Sequence, residues 1–406
     1  MTNALSPENS GASVEPSATA TELVTNRPTA AVPAAPVVRW TEDGQAQSAA
    51  WRSENGSPAP AEVTLVDDRL TADAAYRLAA AGTAMLWRGD FHNSRQLLQA
   101  LGRRVDGERR ARCAPTPAAE FLADRRRQAH RAAMLGRLLV RLEPGWTLSS
   151  LRAPDVRRAC DQAYGAPAST ATLVSLRELL GVLGASEWRR KGVDIPALGA
   201  RIHPHYGVFS PVRGEYVDLV AAAPLPSHRL AFDIGTGTGV LAAVLAQRGV
   251  QSIVATDQDP RALACARANL DRLGHGDRVE LIRTDLYPPG RAPLVVCNPP
   301  WLPAKPQSPL DHAVYDPGSR MLRAFLDRLG KHLTAEGEAW LIISDLAERL
   351  GLRPDGYLPT AFEASGLRVI DRLDTRPRHP RAADQDDPLH AARAGEITSL
   401  WRLTRN

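Results

Sequence analysis

A polar amide, two prolines and an aromatic ring stand together late in the chain. Asn298-Pro299-Pro300-Trp301 directly follows the apolar run 294–297. The Asn298 side-chain oxygen and the Pro299 carbonyl can each accept one hydrogen of an –NH2 group, which favours a pyramidal nitrogen with a free lone pair. The prolines stiffen the turn, so the acceptors are in place before a substrate arrives. Trp301 offers a flat face to a planar substrate, although a core or rim tryptophan is the alternative. These residues indicate catalysis at a planar amide or amino nitrogen.

A glycine-rich loop lies upstream, between an apolar run and a helical pattern, over residues 233–239. Glycines allow the backbone to turn tightly and to approach a ligand where a Cβ would collide. The spacing is Gly-x-Gly-x-Gly, whereas pyrophosphate sites have Gly-x-Gly-x-x-Gly, so the loop favours a cofactor without phosphate. A structural turn or a dinucleotide site is the alternative. The predicted cofactor contacts in this loop are Asp233, Gly235, Thr236, Gly237 and Gly239.

Two acids follow the next apolar runs. Asp257 stands 18 residues after Gly239, where a carboxylate in a doubly wound sheet accepts both ribose hydroxyls. An acid at the start of a helix is the alternative, a role that Asp259 fills equally well. Asp285 follows the third run, where its side chain could accept from an adenine amino group or form a turn. The residues after these acids are assigned to the same site: Gln258 and Leu286.

These features occur in one order: glycine loop, ribose acid, Asp285 and the Asn-Pro-Pro-Trp turn. In that order they resemble the amino-methyltransferases, which include N6-adenine enzymes, guanine-N2 ribosomal RNA enzymes and HemK/PrmC-type glutamine methyltransferases. The resemblance extends over roughly residues 206–352. It implies a class I S-adenosylmethionine-dependent methyltransferase with a seven-stranded, Rossmann-like sheet, S-adenosylmethionine as cofactor, and residues 298–301 as the catalytic turn. The final Trp replaces the Tyr that is more common in the HemK subgroup.

The segment 205–216 resembles the stretch that lies over the cofactor in HemK-type and ribosomal RNA enzymes. The resemblance assigns Phe209 and Arg213 to substrate contact, although a surface ion pair is the alternative for Arg213. Val212 and Gly214 interrupt the Pro-Arg-Pro-Glu-Thr-Glu run of HemK relatives, which weakens the case for a glutamine substrate.

The elements that must position these residues follow from hydrophobic spacing. From about residue 201 short β-rich runs alternate with helical patterns, which predicts an α/β domain with a parallel sheet covered on both faces. The seven predicted strands are 229–234, 252–256, 279–283, 294–297, 339–344, 368–373 and 397–403. The predicted helices are 239–247, 260–273, 320–332 and, less regular, 346–352 with 358–365.

The chain of 406 residues is long enough for two domains. Residues 1–60 are rich in Ala, Pro, Ser, Thr and Glu and predict a disordered tail, because few of their side chains can be buried. Apolar residues at helical spacing among arginines predict a helical accessory domain over 61–195. The methyltransferase domain is predicted over 196–406.

Charge, cysteine content and hydropathy limit the kinds of partner that the protein is expected to bind. Residues 61–200 carry a net charge of +7 in a chain of net charge +5, which permits an RNA or DNA partner, although arginine-rich helices are also ordinary solvated surface. The four cysteines form no Cys-x-x-Cys pair and no ligand set suggests a metal. Without an apolar run of about 20 residues or a secretory signal, we expect no membrane partner and a cytoplasmic location.

The leading hypothesis is N-methylation of a macromolecule. The substrate is a glutamine in a translation-related protein or an exocyclic base amine of RNA or DNA, with neither preferred. The alternatives are an inactive cofactor-binding module that acts through its accessory domain and a small-molecule N-methyltransferase.

Overall fold

Two mixed β-sheets of seven strands each organise the part of the chain that the structure describes. The structure is a computed structural model, and it describes residues 35–107, 114–167, 169–212, 214–378, 384–385 and 387–406. Pro36–Asn406 forms one compact unit. Residues 1–34 of the predicted tail lie outside the described residues.

The first sheet has the strand order β1-β2-β7-β5-β4-β3, with β6 beside β5. Its strands are β1 (Val37–Glu42), β2 (Gln45–Trp51), β3 (Val63–Val66), β4 (Ala84–Trp87), β5 (Leu138–Glu143), β6 (Thr147–Leu148) and β7 (Thr172–Ser175). Its helices are α1 (Ala72–Ala81), α2 (Phe91–Gly107), α3 (Pro117–Leu135), α4 (Arg157–Tyr164) and α5 (Leu176–Lys191). A short hairpin of β8 (Val193–Ile195) and β9 (Ala200–Ile202) leads to the second sheet.

This sheet corrects the prediction of a helical domain over 61–195. The apolar residues at 138–142 also fit the helical spacing of the residues before them, but α3 ends at Leu135 and β5 begins at Leu138. Short apolar runs of strands and of buried helices cannot be distinguished by spacing alone. In addition, Gly136 interrupts the run where the helix ends.

The prediction of a disordered tail is also wrong between residues 37 and 51. There β1 and β2 form an antiparallel hairpin. Asp43 and Gly44 at its turn have φ of 50° and 75°, the conformation that two-residue hairpin turns require. Trp40 and Trp51 are 6% and 8% exposed, so large side chains anchor a stretch whose average composition is that of a linker.

The second sheet has the strand order β12-β11-β10-β13-β14-β16-β15. Its strands are β10 (Leu230–Ile234), β11 (Ser252–Asp257), β12 (Val279–Arg283), β13 (Ala292–Cys297), β14 (Leu333–Ser344), β15 (Leu367–Thr375) and β16 (Thr398–Arg405). Strands β10 to β14 pair in parallel, and β16 is antiparallel to both β14 and β15. The seven predicted strands and the α/β class are confirmed.

Helices cover both faces of this sheet. They are α6 (Glu215–Ala222), α7 (Val240–Gln247), α8 (Pro260–Arg272), α9 (Arg320–Leu329), α10 (Leu346–Arg349), α11 (Tyr357–Ala364) and α12 (His390–Ala394). The sequence missed α6 and α12. One apolar core packs α7 against one face of the sheet, and another packs α9 and α11 against the other. None of the described helices is long and apolar enough to span a bilayer.

The carboxyl ends of β10, β11, β12 and β13 meet at one edge of the sheet, because these strands run parallel. Ile234 is paired with Thr256 on one side and with Cys297 on the other. The glycine loop, Asp257 and Asn298 follow these three positions directly, so the register brings the predicted site residues together.

Candidate active site

The glycine loop joins β10 to α7. Gly235, Gly237 and Gly239 have φ of 74°, 54° and 80°, a region that residues with a Cβ rarely adopt. A Cβ on Gly239 would lie 3.1 Å from the Cα of Ala266, and one on Gly235 would lie 3.3 Å from Cε of Met321. Around the corresponding position on Gly237, no described atom lies within 4 Å. The loop is therefore packed tightly at both ends and open to a ligand in its middle.

Asp233 lies beneath this loop and is 1% exposed. Its Oδ2 accepts hydrogen bonds from Oγ1 of Thr236 at 2.7 Å and from the backbone N–H of Ala242 at 3.2 Å. Burial raises the pKa of Asp233 to about 6. Thr236 is 5% exposed. These two side chains therefore hold the loop and α7 from below, and their contact with the cofactor stays a prediction.

Asp257 ends β11 beside the loop. Its Oδ2 accepts from the backbone N–H of Gly237 at 3.1 Å, and its Oδ1 accepts from the N–H of Asp259 at 3.0 Å. Burial raises the pKa of Asp257. The acid at the start of the helix is Asp259 and not Asp257. The Asp259 side chain caps α8 by accepting from the N–H of Arg261 at 2.8 Å. Each oxygen of Asp257 has a further lone pair, so the carboxylate can accept two ribose hydroxyls.

The remaining predicted cofactor contacts lie at the ends of β11 and β12. Gln258 and Asp285 are exposed. Leu286 is 7% exposed and has φ of 78°, a left-handed conformation that costs a side chain such as leucine about 1–2 kcal/mol. Its carbonyl accepts from Oγ1 of Thr256 at 2.6 Å. A strained residue is thus held at this edge by a buried hydroxyl.

The turn after β13 holds Asn298 in a defined orientation. Pro299 and Pro300 are buried, whereas Asn298 and Trp301 are half-buried. The indole Nε1 of Trp301 donates to Oδ1 of Asn298 at 2.9 Å. An indole N–H can only donate, so the Asn298 atom that faces it is the oxygen. A second lone pair of this oxygen can accept a hydrogen from a substrate.

A groove of about 850 Å³ runs between the first sheet's helices and the catalytic half of the chain. Phe209, predicted to contact substrate, lines it, and so do five residues after the catalytic turn: Gln307, Ser308, Leu310, Asp311 and Val314. Three exposed apolar side chains also line it: Trp188, Val212 and Leu310, which are 53%, 56% and 47% exposed. Arg213, the other predicted substrate residue, lies outside the described residues.

Two arginines are among the described residues that line this groove: Arg177 is exposed, whereas Arg125 is paired within the protein. Arg125 of α3 lies 3.0 Å from Oδ2 of Asp311 and donates to the carbonyl of Lys305 at 2.8 Å. Arg127 lies 2.7 Å from Glu120. His205 also lines the groove, and burial lowers its pKa to about 4, so its ring is uncharged at neutral pH. Of the cluster at residues 125–127, only Arg126 is exposed.

The sequence missed two residues that support the site, one at the catalytic turn and one beside the glycine loop. Arg353 donates to the carbonyl of Trp301 at 2.8 Å. Asp316 accepts from the backbone N–H of Met321 at 2.8 Å, and this fixes the methionine that packs against Gly235. No motif marks either residue: Arg353 lies 52 positions along the chain from Trp301, and Asp316 lies five positions before Met321, in the loop that precedes α9. Within the described residues, no group of three or more His, Cys, Asp or Glu side chains could hold a metal ion.

Comparison with known proteins agrees with this arrangement. Residues 199–349 match the family described as methyltransferase small domain. A release factor glutamine methyltransferase of Cereibacter sphaeroides is 35% identical over 183 residues, which cover 41% of this chain and 63% of that protein. A tRNA1(Val) (adenine(37)-N6)-methyltransferase of Shewanella amazonensis is 32% identical over 217 residues, which cover 48% of this chain and 92% of that protein. A solved ribosomal protein L11 methylase of Lactobacillus delbrueckii subsp. bulgaricus has a TM-score of 0.35 and 18% identity, over 49% of this chain and 81% of that chain.

The match to the Shewanella protein extends over almost its whole length. The chain therefore belongs to the small-domain family of S-adenosylmethionine-dependent methyltransferases. The resemblance carried by the Asn-Pro-Pro-Trp turn and the glycine loop is confirmed. The aligned part of the chain spans less than two thirds of the Cereibacter protein.

Proposed function

We propose that this protein transfers a methyl group from S-adenosylmethionine to a planar amide or amino nitrogen of a macromolecule. The observation that carries the proposal is the position of Asn298. Its side-chain oxygen is oriented by Trp301 at 2.9 Å, at the sheet edge where the glycine loop and Asp257 also lie. A fixed hydrogen-bond acceptor next to a cofactor cradle is what methylation of a weakly nucleophilic nitrogen requires.

The residues present fit the cofactor. The open space over Gly237 can receive it, the carboxylate of Asp257 can accept its ribose hydroxyls, and Asp285 is exposed where an adenine amino group would be bound. When bound, S-adenosylmethionine supplies an electrophilic methyl group. Asn298 and the Pro299 carbonyl then each accept one hydrogen of the substrate –NH2 group. The nitrogen becomes pyramidal, and its lone pair is no longer delocalised into the carbonyl or ring.

We favour a protein substrate. The groove between the first sheet's helices and the catalytic half of the chain is rimmed by Trp188, Val212 and Leu310, and apolar side chains of this size suit a polypeptide segment. A nucleic acid would instead require unpaired cations, since neutralisation of phosphates dominates its affinity. Arg125 and Arg127 are already paired within the protein. The relative from Cereibacter, named for a release factor, supports the same choice.

A nucleic-acid substrate is the second candidate. It is supported by the net charge of +7 over residues 61–200 and by the relative from Shewanella, whose name gives tRNA as its substrate. A small-molecule substrate and an inactive cofactor-binding module are the remaining alternatives.

One experiment distinguishes these candidates. The protein is incubated with methyl-labelled S-adenosylmethionine and a cell lysate, and the labelled material is treated with RNase, DNase or protease. We expect label in macromolecular material that protease releases and nucleases do not. Release by a nuclease would favour the second candidate, and label in the small-molecule fraction would favour the third. No label above that of an Asn298→Ala control would contradict methyl transfer.

A further inference from the structure

Trp301 is held both at its side chain and at its backbone. Its Nε1 donates to Oδ1 of Asn298 at 2.9 Å. Its own backbone carbonyl accepts from Nη2 of Arg353 at 2.8 Å. The ring also packs against the apolar cores on both faces of the sheet. Trp301 is therefore part of a rigid unit that ends on the Asn298 oxygen, and not only a flat surface for a substrate.

Arg353 is an unusual support for a turn, because its side chain is only 3% exposed. Nη2 of Arg353 donates to the Trp301 carbonyl, and its Nε donates to Oγ of Ser319 at 3.2 Å. The carboxylate of Glu348 lies 3.9 Å from Nη1, too far for a hydrogen bond. Burial lowers the pKa of Arg353 and raises that of Glu348. A buried guanidinium is costly unless its donors are used, and here two donors hold the catalytic turn and Ser319 before α9.

We propose that Trp301 is a positioning residue for methyl transfer. Its indole holds the Asn298 oxygen toward the substrate, and Arg353 in turn holds the backbone of Trp301. This inference rests on the proposed function. The amide of Asn298 carries an acceptor oxygen and a donor –NH2 group of similar shape, so a half-turn about its terminal bond exchanges them. In the flipped state Asn298 would present hydrogens to the hydrogens of a substrate –NH2 group. The donor-only indole N–H stabilises the productive state.

The variant Trp301→Phe tests this idea, because it retains an aromatic face and removes the N–H. We expect kcat to fall about ten-fold, which corresponds to the loss of one orienting hydrogen bond. KM for the substrate and affinity for S-adenosylhomocysteine should each change less than two-fold. The matched control is Trp40→Phe, which removes an indole N–H bonded to Glu42 at 3.1 Å in the first sheet. Its kcat should equal that of the wild type.

A double-mutant cycle separates positioning from a role of the ring in substrate binding. If Trp301 acts through Asn298, Trp301→Phe should cause no further loss of kcat in an Asn298→Ala background. Arg353→Lys should lower kcat in the same direction, because an ammonium lacks the planar fork that reaches both the Trp301 carbonyl and Ser319. Circular dichroism of each variant verifies that it folds.

Three results would overturn the inference: an unchanged kcat in Trp301→Phe, an effect of that variant on KM alone, or additive losses in the double mutant. The failure of the proposed function is recognised separately, because then the wild-type protein itself would transfer no methyl group to any substrate. That result would overturn both statements.

Discussion

The guanidinium of Arg125 lies 3.0 Å from the carboxylate of Asp311, which joins α3 of the first half of the chain to the loop after the catalytic turn. The same guanidinium lies 3.9 Å from the ring centroid of Tyr315. An arginine in an arginine-rich helix thus makes contacts within the protein. Its side chain lines the groove, and its charge is not available to a phosphate.

This contact changes the expected salt dependence of any binding to nucleic acid. If Arg125, Arg126 and Arg127 all contacted phosphates, their change to Gln would flatten the log–log slope by two to three units, at about 0.7 to 0.9 per contact. Because two of them are paired, we expect the triple variant and Arg126→Gln alone to flatten the slope equally, by less than about one unit. Binding of RNA fragments across a salt series measures this. A two- to three-unit change confined to the triple variant would contradict the pairing.

Asp257 should determine cofactor affinity. Its carboxylate already orients the N–H of Gly237, and its remaining lone pairs are predicted to accept ribose hydroxyls. We expect Asp257→Ala to weaken S-adenosylmethionine binding by about 1.5–3 kcal/mol, the range for hydrogen bonds to a charged group. Calorimetry provides the measurement, with Asp259→Ala as the control, since that acid caps α8. Equal affinities of wild type and Asp257→Ala would remove Asp257 from the ribose role.

The space over Gly237 provides a steric test. A methyl group there meets no described atom, so it would project into the predicted cofactor space. We expect Gly237→Ala to reduce S-adenosylmethionine affinity at least ten-fold, with a stability cost of about 1–2 kcal/mol from its positive φ. Gly274→Ala is the matched control, because Gly274 also has a positive φ of 73° and a Cβ there would also meet no described atom within 4 Å. The space over the loop is not the cofactor site if both variants bind the cofactor like wild type.

The buried acid beneath the loop predicts a dependence of stability on pH. The pKa of Asp233 is raised from 3.8 to about 6 by burial. Because the folded state holds this proton more tightly, Asp233 contributes stability that is fully present below about pH 4 and is lost as the pH rises through 6. Relative to Asp233→Asn, the free energy of unfolding of the wild type should therefore fall by about 2 kcal/mol from pH 4 to pH 7. Urea unfolding at both pH values measures it, and a constant difference would contradict the raised pKa.

The second sheet was predictable because its strands are bounded by residues with clear conformational roles. Gly235, Asp257 and Asn298 each follow an apolar run, and the parallel register then brings them to one edge. The first sheet was not predictable, because runs such as β5 satisfy helical spacing as well as strand spacing. The Asp43-Gly44 turn was the local signal for β1 and β2, but it stands in a stretch of linker composition.

The candidate site also had a part that could be predicted from the sequence and a part that could not. The sequence identified the glycine loop and the catalytic turn, since their residue types are tied to backbone geometry. It did not reveal that Asp233 supports the loop from below, because burial depends on packing between α7 and the sheet. Arg353 could not be found at all, since it lies 52 positions along the chain from Trp301 and its contact with the Trp301 carbonyl depends on the path of the chain between them.

The most direct test of methyl transfer at a planar nitrogen is the turnover of Asn298→Ala on the substrate found with labelled cofactor. Turnover is measured beside the affinity of the same variant for S-adenosylhomocysteine. We predict that kcat falls roughly 100-fold or more, as when one preorganised polar contact is lost, while cofactor affinity stays within two-fold of the wild type. Full turnover by Asn298→Ala would contradict the role of its side-chain oxygen and with it the proposed chemistry.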